Sequence, residues 1–422
     1  MISIKKIREN PEEIISKLRS RNDKTDIKEV LLLDDKIRTL KTRSSEYRAQ
    51  RNIASENIGK IKKEGGDSIF AIKETRDLGN KLKELELDLI KNENELKRIL
   101  FQMPNVPQDS VPVASDFSGN VTLREWGNKR EYNFKLKNHI QLGEDLNLFD
   151  FKRGSKLSGS GFPLYVGNGA KLERSLINSM IDHHVTNFSF TEMLPSILMK
   201  KESMETTGQL PKFQEDMYHT EIDNLYLAPT AEVPITNLHR DEILNESDLP
   251  IKYVGYTPCF RRESGSYGKD TRGLLRVHQF NKVELVEFIQ PDDSIKELER
   301  LTLQAESVLQ KLGLHYRVIE LCTGDLGFSA SKCYDIELWA PAEQQWLEVS
   351  SCSSFDSFQS RRGNIRFRRK KDKKVDFVHT LNGSGVATPR LMVALIETYQ
   401  EEDGIVRFPE KVSSFLGIKE LA

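Results

Sequence analysis

The chain lacks any run approaching the roughly 18 to 20 consecutive apolar residues of a membrane span. Its first residues, MISIKKIRENPEEII, mix both charge signs and have no apolar centre or small-residue cleavage site, so a secretory or transit segment is not expected and a cytoplasmic location is. Cysteine is scarce: Cys259, Cys322, Cys333 and Cys352 are widely spaced and form no CxxC pair. That pattern speaks against a disulfide framework and against a structural zinc site. The one adjacent histidine pair, His183 and His184, cannot share a helix or strand face, so it is not read as a metal site. There is no GxxxxGK[ST] loop and no GxGxxG after a strand, which sets aside P-loop and dinucleotide folds. A net charge of −1 gives no sign bias over the 422 residues.

The charge is unevenly distributed. Residues 1–100 carry 24 Lys/Arg against 19 Asp/Glu, and from Lys36 to Arg51 six cations (Lys36, Arg38, Lys41, Arg43, Arg48, Arg51) face one acid, Glu46. A basic helical stretch of this kind can follow a phosphate backbone. From Ile27 to about Ile61, and again from about Ser68 to Leu100, helix formers dominate and proline is absent. In the second stretch Ile69, Ile72, Leu78, Leu82, Leu85, Leu89, Leu96 and Ile99 recur mostly three, four or seven apart, the spacing of a coiled-coil seam. The intervening Lys62–Asp67, with two glycines, reads as a turn. The expectation is an antiparallel helical hairpin, an arm of about 27–100 within an N-terminal domain of residues 1–102.

Three prolines between Met103 and Val113 then break the pattern, and residues 103–118 read as a linker. From 119 to 422 short alternating runs mix with helical stretches such as Gly169 to Val185. Hairpin-like connections favour an α+β fold with an antiparallel sheet flanked by helices.

The segment richest in chemistry is Phe260–Phe288, FRRESGSYGKDTRGLLRVHQFNKVELVEF. Arg261 and Glu263 share parity, as do Phe280, Lys282 and Glu284, so a hairpin would gather a cation, carboxylates and an aromatic ring on one surface. The loop between them holds Lys269, Asp270 and Arg272 among glycines, more than a turn needs. In Trp346–Ser351 the alternation puts Glu348 and Ser350 on one face and Leu347 and Val349 on the other, and paired oxygens suit a Mg²⁺ held with phosphate. Thr380–Arg390 (TLNGSGVATPR) is rich in small residues and runs into an apolar helix, which lets backbone approach a ligand closely with Arg390 at the helix start.

Over essentially its full length the chain resembles the seryl-tRNA synthetases of the bacterial class II type. The resemblance rests on CFRRESGSYGKDTRGLLRVHQFNKVELVEF as motif 2, on LAPTAEVPIT, on TGDLGFSASKCYDIELWAPAEQQWLEVSSCSSFDSFQSRRGNIRFRR, on LNGSG with Arg390 as motif 3, and on RAQRNIASENIGK in the arm. It implies a class II catalytic domain at 119–422, a coiled-coil arm that binds tRNA, ATP and Mg²⁺ as substrate and cofactor, L-serine as the amino acid, and a homodimer formed around motif 1, Gly169 to Pro195. The implied partners are tRNA(Ser), with tRNA(Sec) left open.

The resemblance also implies roles. Arg261, Glu284 and Arg390 are the expected catalytic residues. ATP is expected to meet Arg261, Arg262, Glu263, Arg276, Val277, Phe280, Glu348, Val349, Ser350, Ser351 and Arg390, with Phe280 and Glu263 on adenine. Serine is expected at Thr230, Ala231, Glu232, Arg261, Glu284, Asn382 and Ser384, and Mg²⁺ at Glu348 and Ser351. Lys36, Arg38, Lys41, Arg43, Arg48 and Arg51 are the expected tRNA contacts. Thr388-Pro389 before Arg390 departs from the usual run of small residues. Proline suits a first helical turn, so Arg390 is expected to be presented normally. The rival reading is a catalytically inactive paralogue acting as an RNA-binding module.

Overall fold

In a computed structural model, which describes residues 1–264 and 272–422, the apolar periodicity of the first hundred residues becomes two long helices. Helix α1 (Ile27–Lys63) begins where the Asp26 carboxylate accepts from the Lys28 N–H at 2.9 Å, and α2 (Ile69–Gln102) runs back along it. These helices belong to a unit formed by Ile2–Arg19 and Asp23–Met103. On α1 the buried positions are Ile27, Val30, Asp34, Ile37, Leu40 and Ser44, three or four apart. On α2 the seam runs through Leu82, Asn92 and Ile99, with Leu78, Leu85, Leu89 and Leu96 half-buried. Ile69 and Ile72, expected in the seam, are exposed; they open α2 beside the turn, and the end of α1 there holds Ile58 and Ile61, only half-buried, among Lys60, Lys62 and Lys63. Two seam positions are polar yet partnered. Asp34 takes the Arg8 guanidinium at 2.8 Å, and the Asn92 amide donates to Asp88 Oδ1 at 2.8 Å. Neither bond crosses the α1–α2 seam: Asp88 lies on α2 itself, one turn before Asn92, and Arg8 lies on the short helix Ile4–Glu9.

The second unit comprises Met1, Ser20–Asn22 and Pro104–Ala422. Its proline-rich start, read from sequence as a linker, is seated on this unit instead. The Asn105 side-chain amide donates to the carbonyls of Ser329 (3.0 Å) and Phe355 (2.9 Å), the Pro112 carbonyl accepts from the Thr323 N–H at 2.8 Å, and Val111 joins an apolar cluster with Leu321, Phe355 and Phe358. Proline lacks a donor but keeps its carbonyl, so an irregular segment can still be bonded in place.

In chain order the elements that build the site are β1 (Val121–Trp126), α3 (His139–Asp145), α4 (Gly167–Phe188), β2 (Thr191–Met193), the short helix α5 (Glu232–Thr236), β3 (Ile251–Phe260), β4 (Gln279–Ile289), α6 (Ser294–Lys311), β5 (Tyr316–Glu320), β6 (Lys332–Ala340), β7 (Gln345–Ser354), β8 (His379–Ala387) and α7 (Thr388–Tyr399). The strands form one sheet in the order β1-β5-β6-β7-β8-β4-β3-β2, antiparallel throughout except for the edge pair β2–β3. One face packs on α4, α6 and α7: Leu172, Leu176 and Met180 meet Val283 and Leu285, with Leu301, Leu381, Leu391 and Leu395 filling the same core. On β4 the odd residues Val283 and Leu285 enter that core, leaving Phe280, Lys282, Glu284, Val286 and Phe288 on the opposite face. There α5 covers Val286 and Phe288 through Ala231 and Ile235, so the face stays open only over Phe280 to Glu284. All four cysteines are free and buried. Among the described residues no helix is long and apolar enough to cross a membrane.

Candidate active site

The hairpin anticipated from parity forms. β3 and β4 pair from Ile251↔Phe288 to Phe260↔Gln279, and the Arg261 N–H extends the ladder to the His278 carbonyl at 2.9 Å. The open face of β4, the strand β7, the start of α7 and the turn at Thr230–Glu232 enclose a cavity of about 440 Å³. Lys269 and Asp270 of the connecting loop lie outside the described residues.

One end of the cavity is built on two carboxylates. Glu232 lines it and accepts from the Gln359 amide (2.6 Å) and the Asn382 amide (3.2 Å). Glu284, fully buried, sits one layer beneath the wall. It accepts from Asn382 Nδ2 at 3.0 Å and from the Thr230 hydroxyl, and it pairs with the Lys282 ammonium. Thr230, Lys282, Asn382 and Ser384 face the cavity, so Glu284 reaches it through groups bonded to it. Burial first, and then repulsion from Glu284, pushes the Glu232 carboxyl up to about 7; Lys282, Gln359 and Arg261 oppose the rise. An arriving ammonium group would meet the Glu232 carboxyl on the wall, with Glu284 behind it.

The other end is cationic and aromatic. The Arg261 guanidinium lies 5.2 Å from the Phe280 ring centre and donates to the Pro229 carbonyl at 3.3 Å. Glu263, Arg276 and Val277 also border the cavity. Glu263 has a φ of 51°, a left-handed conformation that an L-residue occupies only when its surroundings hold it there, and its carboxylate is ion-paired with Arg276. Arg390 lies in the first turn of α7 just after Pro389, and it points into the cavity. Its Nε donates to the Leu275 carbonyl at 3.0 Å and its Nη1 to the Glu348 carbonyl at 2.9 Å.

Three sequence expectations land differently. Arg262 does not border the cavity: it turns outward over the Tyr218 ring at 4.6 Å and donates to the Met217 carbonyl at 3.1 Å, as alternation beside an inward Arg261 requires. Ala231 is absent from the cavity wall because its methyl faces the cluster of Ile235, Val286 and Phe288 behind it. Ser350 does not share a face with Glu348. Ile336 pairs with Ser350 but Glu337 pairs with Glu348, so Val349 is an extra residue, a β-bulge. The bulge returns Ser351 to the side of Glu348 and turns the Ser350 hydroxyl to the Ser384 carbonyl at 2.7 Å, although Ser350 and Val349 still border the cavity.

Glu348 and Ser351, both lining the cavity, offer hard oxygens of the kind Mg²⁺ prefers. Asp335, cross-strand from Ser351, adds a third. Asp335 lies behind the cavity wall, and burial, followed by the nearby Glu348, holds its carboxyl well above the usual range. This donor set fits a divalent ion. Asp335 went unassigned from sequence, as did Lys282, although Lys282 shares parity with Phe280 and Glu284. Residues 207–209 and 327–330 also line the cavity. Their signal was glycine: Gly208 has a φ of 97°, and a Cβ there would lie 2.1 Å from Ser329 Oγ.

On the arm, the six cations divide. Lys36, Lys41 and Arg48 pair with Asp88 (3.4 Å), Glu93 (2.7 Å) and Glu86 (2.7 Å) across the two helices, and Arg38 lies 3.9 Å from Asp35. Arg43 and Arg51 are exposed and have no recorded acidic partner among the described residues.

Comparison with known proteins places this geometry among relatives. Residues 215–399 match the family described as tRNA synthetase class II core domain (G, H, P, S and T), and residues 1–107 match the Seryl-tRNA synthetase N-terminal domain. The chain is 49% identical over 418 residues to the serine--tRNA ligase of Carboxydothermus hydrogenoformans, covering 99% of each chain, and 49% identical over 422 residues to that of Geobacillus kaustophilus, covering 100% of each. Its fold superposes on the seryl-tRNA synthetase of Pyrococcus horikoshii complexed with ATP with a TM-score of 0.92 at 37% identity, over 100% of this chain and 99% of that one. The cytoplasmic enzyme of Naegleria fowleri in complex with AMP gives 0.87 at 29% identity, over 100% and 98%.

Proposed function

The chain belongs to the seryl-tRNA synthetases, ATP-using serine--tRNA ligases, and from that premise we propose how its residues divide the work. The observation that carries the proposal is a single cavity with paired carboxylates at one end and an Arg-lined aromatic shelf at the other.

Serine enters at the carboxylate end. Its ammonium group pairs with Glu232, and Thr230, Asn382 and Ser384 supply polar partners, with Glu284 orienting them from beneath. A site that hydrogen-bonds the serine hydroxyl rejects alanine strongly, because buried polar groups would be left unpaired; threonine must be excluded by bulk. ATP lies at the other end, adenine stacked on Phe280, with Glu263 released from Arg276 to accept from the exocyclic amine. Arg276 and Arg390 then take the triphosphate and Arg261 the α-phosphate. Serine's carboxylate oxygen attacks the α-phosphorus in line; the new P–O bond gives seryl-adenylate as the bond to pyrophosphate breaks. Positioning and charge neutralisation carry most of such a step. Glu348 and Ser351 would hold Mg²⁺ beside Asp335, and the ion supplies charge neutralisation at the phosphates when bound. A ribose hydroxyl of the tRNA end then displaces AMP.

For tRNA, Arg43 and Arg51 lead, and the exposed cross-helix pairs of Lys36, Lys41 and Arg48 are weak enough to be exchanged for phosphates. The turn between the strands Arg366–Arg368 and Val375–Phe377 carries Arg369, Lys370, Lys371, Lys373 and Lys374 and is a second phosphate-facing surface. The dimer forms at the sheet edge, where β2 is the last strand and Leu194, just beyond it, is 81% exposed; sedimentation reads that state directly.

The test is serine-dependent ATP–pyrophosphate exchange, run in parallel with threonine, alanine and glycine. Exchange with serine far above the others is expected; none with any amino acid refutes the division of labour and favours the RNA-binding paralogue. Deleting residues 28–100 is expected to spare exchange and abolish charging of tRNA(Ser), with tRNA(Sec) assayed beside it.

A further inference from the structure

Outside the cavity, one buried histidine ties two of its walls together. His139, at the first position of α3 and with no solvent exposure, is held by an Asn138–Gln141 capping box. Its backbone N–H donates to Glu397 Oε1 at 2.9 Å, and Glu397 lies on α7, two turns beyond Arg390. The second Glu397 oxygen accepts from the N–H groups of Ala342 (3.0 Å) and Glu343 (3.3 Å). The ring spans the gap. Nδ1 is 3.1 Å from Glu343 Oε1 and 3.5 Å from Glu397 Oε1, while Nε2 accepts the Leu274 N–H at 3.2 Å. His139, Glu343 and Glu397 have the composition of a metal site, but the Leu274 bond puts the ring proton on Nδ1, facing the acids, so the ring donates to them and does not ligate.

Leu274 belongs to the returning foot of the loop that joins β3 to β4. Gly273 there has a φ of 58°, and a Cβ would lie 2.1 Å from His139 Nε2, so the backbone passes hard against the ring. The next residue, Leu275, gives its carbonyl to Arg390, and Arg276 follows. The loop foot is thus bonded to α7 twice, directly by Arg390 and through His139 to Glu397.

We infer that His139 is a positioning residue for nucleotide: its Nε2 holds the Gly273–Leu275 backbone so that Arg276 and Arg390 converge on the triphosphate. His139 does not border the cavity, so it acts through the loop foot. The inference rests on the proposed ATP roles of those two arginines.

The two amide replacements separate its two bonds. His139→Asn keeps a donor near the Nδ1 position for Glu343 and Glu397 but cannot reach Leu274; His139→Gln places an amide oxygen near Nε2. In the full-length enzyme, His139→Asn is expected to lower kcat/KM for ATP in serine-dependent exchange on the order of 10- to 100-fold, the usual consequence of a misplacement near 1 Å. Serine KM should stay within about twofold, and His139→Gln should recover most of the loss. Equal losses in both variants, unchanged ATP kinetics in His139→Asn, or a loss falling on serine KM would each overturn the inference. Should His139→Asn not fold, Gly273→Ala presses on the same contact from the loop side and should give the same ATP-specific loss; wild-type ATP kinetics in it would overturn the inference. A wild-type enzyme with no serine-dependent exchange would instead overturn the activation reading on which it rests.

Discussion

Glu232 gives the site a measurable pH signature. Its carboxyl is held up to about 7, against an ordinary value of 4.5, chiefly by burial and then by Glu284. Each unit of difference is about 1.4 kcal/mol, so carrying the ionised group into the empty cavity costs about 3 kcal/mol. The sign follows from the raised value. Below 4.5 the group is protonated whether the chain is folded or not, and it costs nothing. Between 4.5 and 7 the unfolded chain releases the proton while the folded chain keeps it, and stability falls as pH rises. Above 7 both are ionised and the loss is complete. Glu232→Gln removes the titration while keeping an amide that Gln359 and Asn382 can meet. Urea unfolding of both proteins across pH 5 to 8 should therefore show a gap in favour of the variant that widens to about 3 kcal/mol by pH 7 and then stays level. Glu287, also pushed up to about 7 by burial, titrates in both proteins and cancels. The slope is diagnostic, because any strain from the amide adds a constant. Serine should reverse the wild-type trend: its ammonium favours ionised Glu232, so calorimetric affinity should rise up to tenfold per pH unit below 7 and level off above it. The variant should bind serine weakly with no such slope. A gap that does not widen between pH 5 and 7, or wild-type serine affinity flat over that range, would refute this account of the carboxylate pair.

Lys282→Met leaves Glu284 buried without its cation; removing one partner of a buried pair typically costs about 3–5 kcal/mol. Chemical denaturation should show that loss, and serine KM should rise more than ATP KM. Glu348→Gln takes a charge from the proposed metal position, so the Mg²⁺ concentration at half-maximal exchange should rise about tenfold or more, with serine KM unchanged. Arg43→Ala with Arg51→Ala should raise tRNA KM in charging and reduce the slope of log affinity against log salt by about one per cation, while exchange remains at the wild-type rate.

The large features were legible because they rest on periodicities that tertiary structure reinforces. Two proline-free stretches with seven-residue spacing became α1 and α2, and the shared parity of Phe280, Lys282 and Glu284 survived because β4 pairs with β3 in register along its full length, while the register shift against β8 falls on β8. What was missed depended on contacts distant in sequence. The residues from Pro104 onward look like a linker by composition, yet Asn105 finds carbonyls more than 220 residues away, at Ser329 and Phe355. Ile69 and Ile72 fit the seam by spacing, yet both stay exposed beside the turn, where even Ile58 and Ile61 at the end of α1 are only half-buried.

At the site, the bulge at Val349 shows why residue type can be readable where side-chain direction is not. Strict alternation puts Glu348 with Ser350, and a resemblance to relatives puts it with Ser351; the two cannot both hold in a regular strand. One extra residue opposite Ile336 and Glu337 resolves the conflict by shifting the parity of everything after it. The Ser350 hydroxyl then ties β7 to the Ser384 carbonyl, and Ser351 turns toward Asp335 and Glu348. Nothing local in WLEVSS announces the bulge, because valine, serine and glutamate all accept extended backbone. It is visible only across the sheet: β7 pairs with β6 along its length and with β8 at Cys352–Ser354, and β8 carries its own register shift between Ser384 and Val386. Two irregular strands side by side leave neighbouring carboxylate, hydroxyl and small-residue backbone facing one cavity, an arrangement that two regular strands of the same composition would split between opposite faces.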